Sequence, residues 1–339
     1  SNANTTPKLT LSTAGGLTAT SFNGIPFYTD ATNESMYTHN VSATDSTAAG
    51  NTAYGFTAMD AITTGDFNTA IGKGAGTAIS SGAQNTLVGK DAGKNITTGL
   101  YNVAIGYEAL MTEDAGQTSV AVGHRSLKAQ NTTGLPYNVA VGYNAGLAVT
   151  TGLYNTVLGG EALKTNIDGD KNTAIGFQAL KSFEADTDGH GNNTAVGAEA
   201  GEHISTGTEN VAIGQKAIGN GVTTGNNNIA VGVSAGLSLT AGSDNVVIGS
   251  YAGDALNEGD NNVAIGKFSL SGATIGNSNV AIGNLAMTTN VAADRNVAVG
   301  HQALQMMTAA STADHYNVAV GYNAGNQVTT GVENTIIGG

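Results

Sequence analysis

A phrase of nine residues recurs along this chain. NVAIGYEAL begins at Asn102, and NVAVGYNAG begins at both Asn138 and Asn317. With the asparagine taken as position one, seventeen copies begin between Asn51 and Asn334, and Ser119 replaces the asparagine once. Twelve of the sixteen intervals between copies are 17 residues long, and the others are 18, 19 and twice 21. A repeat of this length indicates a stacked architecture, because one copy is too small to bury its own apolar side chains.

The first positions of each copy have the pattern of a short strand. Position two is always Thr, Val or Ile, position four is apolar, and position three is Ala in thirteen of the seventeen copies. Side chains two residues apart lie on one face of a strand, and β-branched residues favour strands. We interpret this as a strand buried on both faces, with Val and Ile columns facing the interior. A second strand is expected to begin near position nine, before a turn of the Thr-Thr-Gly type.

Two columns of identical residues support the stacking. Position five is Gly in every copy, which indicates a positive φ or no room for a Cβ. Stacked asparagines are expected to form a hydrogen-bonded ladder at the turn. Representative members of the two columns are Gly72, Gly89, Gly106, Gly123, Gly142, Gly176, Gly214, Gly266, Asn102, Asn138, Asn262 and Asn317.

The predicted fold class is all-β: a parallel β-roll or β-solenoid of about seventeen 17-residue coils. It spans residues 51–339, and its last copy is cut short. Residues 1–3 are interpreted as the remnant of an expression tag. Residues 4–50 lie outside the repeat register, and their alternating stretch Lys8–Tyr28 predicts a cap over the stack or the end of a preceding domain.

The composition excludes several classes of partner. The chain has 25 acidic and 12 basic residues, a formal charge of −13, and no Cys. Nucleic-acid binding needs a basic surface, so no nucleic-acid partner is expected. No apolar run is long enough for a transmembrane helix, so this segment is not expected to insert into a membrane. No cofactor-binding motif was found either.

The phrases NVAIG, NTAIG and SVAVG (Ser119–Gly123) resemble the head repeats of YadA-like trimeric autotransporter adhesins. The longer phrase TTGLYNVAIGYEAL (Thr97–Leu110) is also similar to repeats of phage and viral tail-fibre proteins. The resemblance covers 51–339 and implies a left-handed roll, a homotrimer, and an extracellular place on a bacterial surface or a virion fibre. The adhesin repeat is shorter, so each coil of this chain carries extra turn residues. The alanine row at position three either contacts another sheet or meets the opposite wall of its own coil.

Two acidic stretches are candidate calcium ligands. Asp168 and Asp170 lie in DGD, and Asp186 and Asp188 lie in DTDG. Both resemble part of a calcium loop, but neither is completed by a Glu at the twelfth position. An acidic, solvated turn is the alternative that we favour. The six His residues lack metal-ligand spacing, and His124 and His301 are expected to be solvated.

The three longest intervals between copies place extra residues on the surface of the stack. Loops on a rigid scaffold commonly carry recognition, although drift in tolerant turns explains such insertions equally well. The candidate recognition residues are Asn131, Leu135, Phe183, Asp186, Asp188, His190, Met307, Asp314 and His315.

The sequence therefore predicts a non-enzymatic attachment module, a rigid segment of an adhesin or tail fibre. Its surface would bind a host receptor, a glycan or a matrix protein. The alternatives are an inert spacer, an ice-binding solenoid and a polysaccharide-active β-helix enzyme. Ice binding is disfavoured because the Thr residues at position two are expected to be buried. Catalysis is disfavoured because Glu108, Glu161 and Glu199 lie in non-adjacent coils, too far apart to act as a pair.

Overall fold

The computed structural model describes residues 9–11, 17–19, 21–22, 25–26, 28–30, 35–38, 47–185, 187, 189–308 and 312–339. The chain divides into two compact units, Ser1–Asn144 and Ala145–Gly339. Within the described residues the regular elements are all strands, and both units are parallel β-solenoids that together hold about seventeen coils. This confirms the predicted all-β solenoid.

The first unit begins with short antiparallel pairs. They are β1 (Leu9–Leu11) with β2 (Leu17–Ala19), β3 (Ser21–Phe22) with β4 (Ile25–Pro26), and β5 (Tyr28–Asp30) with β6 (Ser35–Tyr37). Strand β6 also pairs in parallel with the first repeat strand, so the stack extends one rung before Asn51. The hairpins that precede it agree with the strand-like alternation of this segment.

The parallel stack of the first unit continues through six repeat strands. They are β7 (Thr52–Tyr54), β8 (Thr69–Ile71), β9 (Thr86–Val88), β10 (Val103–Ile105), β11 (Val120–Val122) and β12 (Val139–Val141). Each position lies beside the same position of the next copy, as Val103 lies beside Val120 and Ala104 beside Ala121. The 17-residue period therefore corresponds to one rung of the stack.

The second unit is a parallel stack of eleven strands. They are β13 (Thr156–Leu158), β14 (Thr173–Ile175), β15 (Thr194–Val196), β16 (Val211–Ile213), β17 (Ile229–Val231), β18 (Val246–Ile248), β19 (Val263–Ile265), β20 (Val280–Ile282), β21 (Val297–Val299), β22 (Val318–Val320) and β23 (Thr335–Ile337). The pairing keeps its register through both 21-residue copies, where Ala174 lies beside Ala195 and Ala298 beside Ala319.

The predicted second strand of the coil is absent from the described part of both stacks, and turns replace it. Residues at positions seven and nine adopt a left-handed backbone, for example Glu108 at φ 53° and Leu110 at φ 50°. Because a strand needs extended φ values at consecutive residues, this alternation bends the chain instead. Each coil therefore has a single three-residue strand followed by a tight wall of turns.

Beside the strand, the interior of the coil is lined by the alanines of positions three and eight, and the Val and Ile of positions two and four face outward. In one copy Ala104 and Ala109 are fully buried, whereas Val103 is only half-buried and Ile105 is 38% exposed. The prediction that the β-branched columns face inward is therefore wrong. Position three is buried within a single chain in these coils, also where Leu87, Val157 or Val247 replaces the alanine, and this confirms the second alternative for the alanine row.

The Asn ladder is confirmed and is buried. Asn262 Oδ1 accepts the backbone N–H of Asn279 at 2.9 Å, and Asn262 Nδ2 donates to the Gly276 carbonyl at 2.8 Å. Each asparagine thus joins two adjacent coils and also closes its own coil. The glycine column has a separate steric cause. Gly266 has φ +128°, and a Cβ there would lie 2.7 Å from the carbonyl carbon of Gly283.

Candidate binding surfaces

An apolar face runs along the second unit. Positions two and four of β16–β22 are all Val or Ile, and these side chains are part-exposed. We call this set the valine face. It continues over seven rungs, about 30 Å along the stack at the spacing of paired strands. Monomers rarely expose apolar patches of more than a few hundred Å², and larger ones mark interaction sites.

The same columns carry threonine elsewhere. Thr86 and Thr156 at position two are exposed, so the expectation that these hydroxyls are buried is wrong. The reason is the inward alanine, which turns positions two and four toward solvent. Each threonine column is only three rungs long: Thr52, Thr69 and Thr86 in the first unit, and Thr156, Thr173 and Thr194 in the second.

Aromatic rings stack on one another at position six. In the first unit His124 lies between Tyr107 and Tyr143, with ring centroids 5.1 Å apart on both sides. Lys90 Nζ lies 4.9 Å from the Tyr107 ring centroid. In the second unit His301 stacks on Tyr322 at 5.0 Å. Both histidines are therefore part-buried in ring stacks instead of being fully solvated, because the next coil places another ring at one-rung spacing.

The three glutamates considered for catalysis each contact cations or amides. Glu108 accepts from Lys128 Nζ at 2.7 Å and from Arg125 Nε at 3.0 Å. The hydrogen bond from Lys128, with further hydrogen bonds from Tyr107 and Arg125, lowers the pKa of Glu108 to about 2. Such a carboxylate is a poor proton donor at neutral pH.

The other two glutamates have similar partners. Glu161 lies 2.8 Å from Lys164 Nζ, and Gln178 Nε2 donates to it at 2.9 Å. The hydrogen bonds from Lys164 and then Gln178 lower the pKa of Glu161. Glu199 lies 3.3 Å from Lys216 Nζ. None of the three is paired with a second carboxylate in the contacts of the described residues, so the geometry offers no acid–base pair there.

The insertion residues divide into buried and exposed groups. Phe183 and Met307 are fully buried inside their coils, so the prediction that they take part in recognition is wrong. Both occupy position twelve, which faces the core. His315 is also buried, and its Nδ1 lies 2.6 Å from the Ala313 carbonyl. His190 is exposed, and Asp314 is exposed beside Arg295, to which it is ion-paired.

The third insertion presents its candidates to solvent. Asn131 is exposed, and Leu135 is 46% exposed. Between them Gly134 has φ +89° with open space around its Cα, so the loop projects from the coil. This is the one of the three insertions whose predicted residues all lie on the surface.

The calcium candidates are only partly described. Asp186 and Asp188 lie outside the described residues. Asp170 Oδ1 accepts the backbone N–H of Leu153 at 2.7 Å, which is a structural use of its carboxylate. Asp168 Oδ1 and Glu184 Oε2 are buried without a hydrogen-bond partner, and desolvation raises the pKa of Glu184. Among the described residues no group of three or more His, Cys, Asp or Glu side chains could hold a metal ion.

Sequence reasoning missed a row of aromatic side chains at the last position of the copy, immediately before the asparagine. In the first unit these are Phe67, Tyr101 and Tyr137, which are 63%, 51% and 50% exposed. They occur on every second coil, separated by Gln84 and Thr118. The sequence does show this alternation of aromatic and polar residues, but it lies at the last position of the copy, outside the first nine positions from which the strand was predicted.

A buried carboxylate was missed as well. Glu113 is fully buried, and its Oε1 accepts the backbone N–H of Gly116 at 2.8 Å. Its Oε2 accepts from Gln130 Nε2 at 2.7 Å and from Thr132 Oγ1 at 3.1 Å. These donors satisfy the charge inside the coil, so the residue serves the fold and is closed to ligands.

Comparison of the chain with protein-family models and with curated proteins found no match. In the described part of the chain no helix is long and apolar enough to cross a membrane.

Proposed function

We propose that this chain is a non-enzymatic attachment segment of an extracellular fibre, carried by a bacterial surface or a virion. In this proposal copies of the chain associate side by side, as a homotrimer, and the assembly presents a surface to a host receptor, glycan or matrix protein. The solenoid fold is compatible with a structural rod. The observation that carries the proposal is the valine face, since a column of part-exposed Val and Ile this long is costly in a lone chain.

The geometry explains why side-by-side packing suits this face. In β19, Val263 and Ile265 point outward on either side of the buried Ala264. Neighbouring rungs repeat this pair in register, as Val263 lies beside Val280 and Ile265 beside Ile282. A regular apolar surface of this kind can pack against an identical surface with the same rung spacing. Closed symmetry then buries the face on every copy.

Light scattering on a gel-filtration column tests the association. The chain has a mass of 33.7 kDa, and the intact protein is expected at three times this mass. Ile265→Glu places a charge on the face and is expected to give a mass of one chain. The matched control is Asn261→Glu, at an exposed last position before the same strand, and it is expected to keep the assembly. Circular dichroism checks that both variants stay folded. A wild-type protein that runs at one chain mass would overturn the association.

An ice-binding surface is a second candidate, favoured by the position-two threonines of β7–β9 and β13–β15, of which Thr86 and Thr156 are exposed and the other four are half-buried. Three rungs is a short array, so this function ranks below attachment. Inhibition of ice recrystallisation by the intact chain, lost in Thr69→Leu together with Thr173→Leu, would support it. No inhibition at high protein concentration would exclude it.

A further inference from the structure

The aromatic row of the first unit has a fixed spacing. The backbone N–H of each last-position residue donates to a carbonyl of the coil before: Gln84 to Asp66 at 2.9 Å, Tyr101 to Ala83 at 3.1 Å, and Thr118 to Leu100 at 3.0 Å. Successive last-position residues therefore lie one rung apart. Since Phe67, Tyr101 and Tyr137 lie two rungs apart, neighbouring rings are separated by about 9.6 Å.

The ring at the start of the row contacts the neighbouring rung. Gly50 occupies the last position one rung before Phe67, and a Cβ at Gly50 would lie 2.6 Å from Phe67 Cδ1 and 2.9 Å from Phe67 Cε1. The edge of the ring that carries Cδ1 and Cε1 therefore lies close to Gly50, and Phe67 as a whole is 63% exposed. Gly50 thus leaves room for the ring of Phe67, and the last-position residue of the next coil is the flexible Gln84.

The backbone at this position does not call for aromatic residues. Tyr101 has φ 59°, and Asn192, Asn227 and Asn261 of the second unit have φ 58°, 59° and 58° at the equivalent position. Asn tolerates the left-handed region far better than a bulky side chain does. Backbone strain of this kind persists where the residue serves another purpose. The first unit thus carries exposed aromatic rings where asparagine would be the less strained choice.

We propose that the aromatic row binds an uncharged polysaccharide of β-1,4-linked pyranoses, a glucan or an N-acetylglucosamine polymer. In such a chain each sugar is flipped relative to the one before, so every second sugar presents the same face. That two-sugar repeat is close in length to the two-rung spacing of the rings. Flat aromatic rings contact the apolar C–H face of a pyranose. Gln84 and Thr118, between the rings, supply polar groups for the hydroxyls.

The absence of charge in the row favours uncharged glycans. The five last-position residues from Phe67 to Tyr137 include no charged side chain. A sulfated or carboxylated glycan would need cations, which this row does not offer. The loop at Asn131–Leu135, in which both of these residues are exposed, precedes Tyr137 in the chain. This inference rests on the attachment function proposed above and names its ligand.

The test is co-sedimentation of the intact chain with microcrystalline cellulose and with chitin. The wild type is expected to bind at least one of the two polymers. The triple variant Phe67→Asn, Tyr101→Asn, Tyr137→Asn is expected to lose binding, by about tenfold for each ring removed. Asn is chosen because the second unit adopts this backbone with Asn. Tyr316→Asn is the matched control, since Tyr316 is 50% exposed at the same position of the second unit, where alternate coils lack aromatic residues.

A spacing variant separates recognition from general stickiness. Tyr101→Gln with Gln84→Tyr keeps the number of aromatic residues but removes the two-rung alternation, and it is expected to bind as weakly as the triple variant. Equal binding by the spacing variant or the triple variant would overturn the inference, as would a wild type that binds neither polymer. Light scattering on the triple variant reports association independently. A triple variant of lower mass than the wild type would assign the row to a contact between copies and so refute polysaccharide binding.

Discussion

Gln130 donates from Nε2 to Ser119 Oγ at 2.7 Å, and its Oε1 accepts from Asn138 Nδ2 at 2.9 Å. Ser119 is the one first-position residue of the seventeen copies that is not asparagine. Gln130, at position twelve of the same coil, thereby links Ser119 to Asn138 and continues the side-chain ladder where the asparagine is missing. The first unit has compensated a missing amide with another amide eleven residues away.

Removing that glutamine should destabilise the fold. Gln130→Ala leaves Glu113 Oε2 with fewer donors and removes one acceptor of the Asn138 amide, all in a buried site. We expect a loss of about 2–4 kcal/mol in the free energy of unfolding. Urea denaturation followed by circular dichroism measures it. Gln84→Ala, which truncates an exposed glutamine, is the control and should change the stability by less than about 0.5 kcal/mol. Equal losses in the two variants would argue against the network.

Glycines at position five and at position nine of the copy predict contrasting effects of a single methyl group. Gly266→Ala places a Cβ 2.7 Å from backbone atoms of Gly283 at φ +128°, a region that L-residues avoid. The expected loss is about 3 kcal/mol or more, since neither backbone can move without breaking the stack. Gly236→Ala is the control, because its nearest neighbour would be 3.6 Å away at φ +56°. That variant should lose no more than about 1 kcal/mol, the cost of the left-handed backbone. Thermal unfolding of both variants decides the matter.

The repeat pattern was sufficient to predict the strand, the stack, the glycine column and the asparagine ladder. It could not say which face of the strand was inside, because alternation is symmetric when both faces are apolar. One substitution in the repeat indicates which face of the strand is buried. Leu87 replaces the alanine of position three, and a Cβ at either Gly76 or Gly93 would lie 2.7 or 2.6 Å from Leu87 side-chain atoms. A large residue at position three thus fills the space of missing side chains in two coils, which places that position in the core.

The residues at positions nine and twelve also share a limited volume inside each coil. Gly93 is paired with the buried Ile96 in its coil, whereas Leu110 is paired with the polar Glu113 in the next. The choice of partner at each coil depends on contacts between rungs, so a reading of single columns could not predict it. The surfaces were harder still, since exposure of the valine face and of the aromatic row follows only after the alanine column is assigned to the interior.

Acid should weaken the ion pair at Glu108. Its folded pKa of about 2 is below the ordinary value of 4.5, so its contribution to stability is complete above about pH 4.5 and is lost as the pH falls toward 2. At neutral pH Glu108→Gln should lower the free energy of unfolding by no more than about 1 kcal/mol, because the partners are part-exposed. The difference between wild type and variant should vanish near pH 2 and shrink in 1 M salt, where screening is strong. A difference that is independent of pH would contradict this assignment.

Asp254 should behave in the opposite way. Desolvation by burial raises the pKa of Asp254 above its ordinary value of 3.8, so folding disfavours its ionised form. At pH 7 we expect Asp254→Asn to be slightly more stable than the wild type. The advantage should disappear below about pH 3.8, where the aspartate is protonated in both the folded and the unfolded states. Denaturation midpoints at pH 7 and pH 3 test this, and a variant less stable than the wild type at pH 7 would refute it.

The Ser119–Gln130 arrangement should be transferable to the second unit. Asn262 begins a coil whose twelfth position is the buried Ala273, just as Gln130 is twelfth from Ser119. Asn262→Ser alone removes the donor to the Gly276 carbonyl and the acceptor of the Asn279 N–H, and it should cost about 2–3 kcal/mol. Adding Ala273→Gln supplies an amide within the coil and should restore part of that loss, less the strain of the larger side chain. Urea denaturation of the two variants, with Ala273→Gln alone as control, gives the coupling energy. A coupling of zero would mean that the glutamine serves the ladder only beside Glu113, because the insertion of the first unit gives it room there.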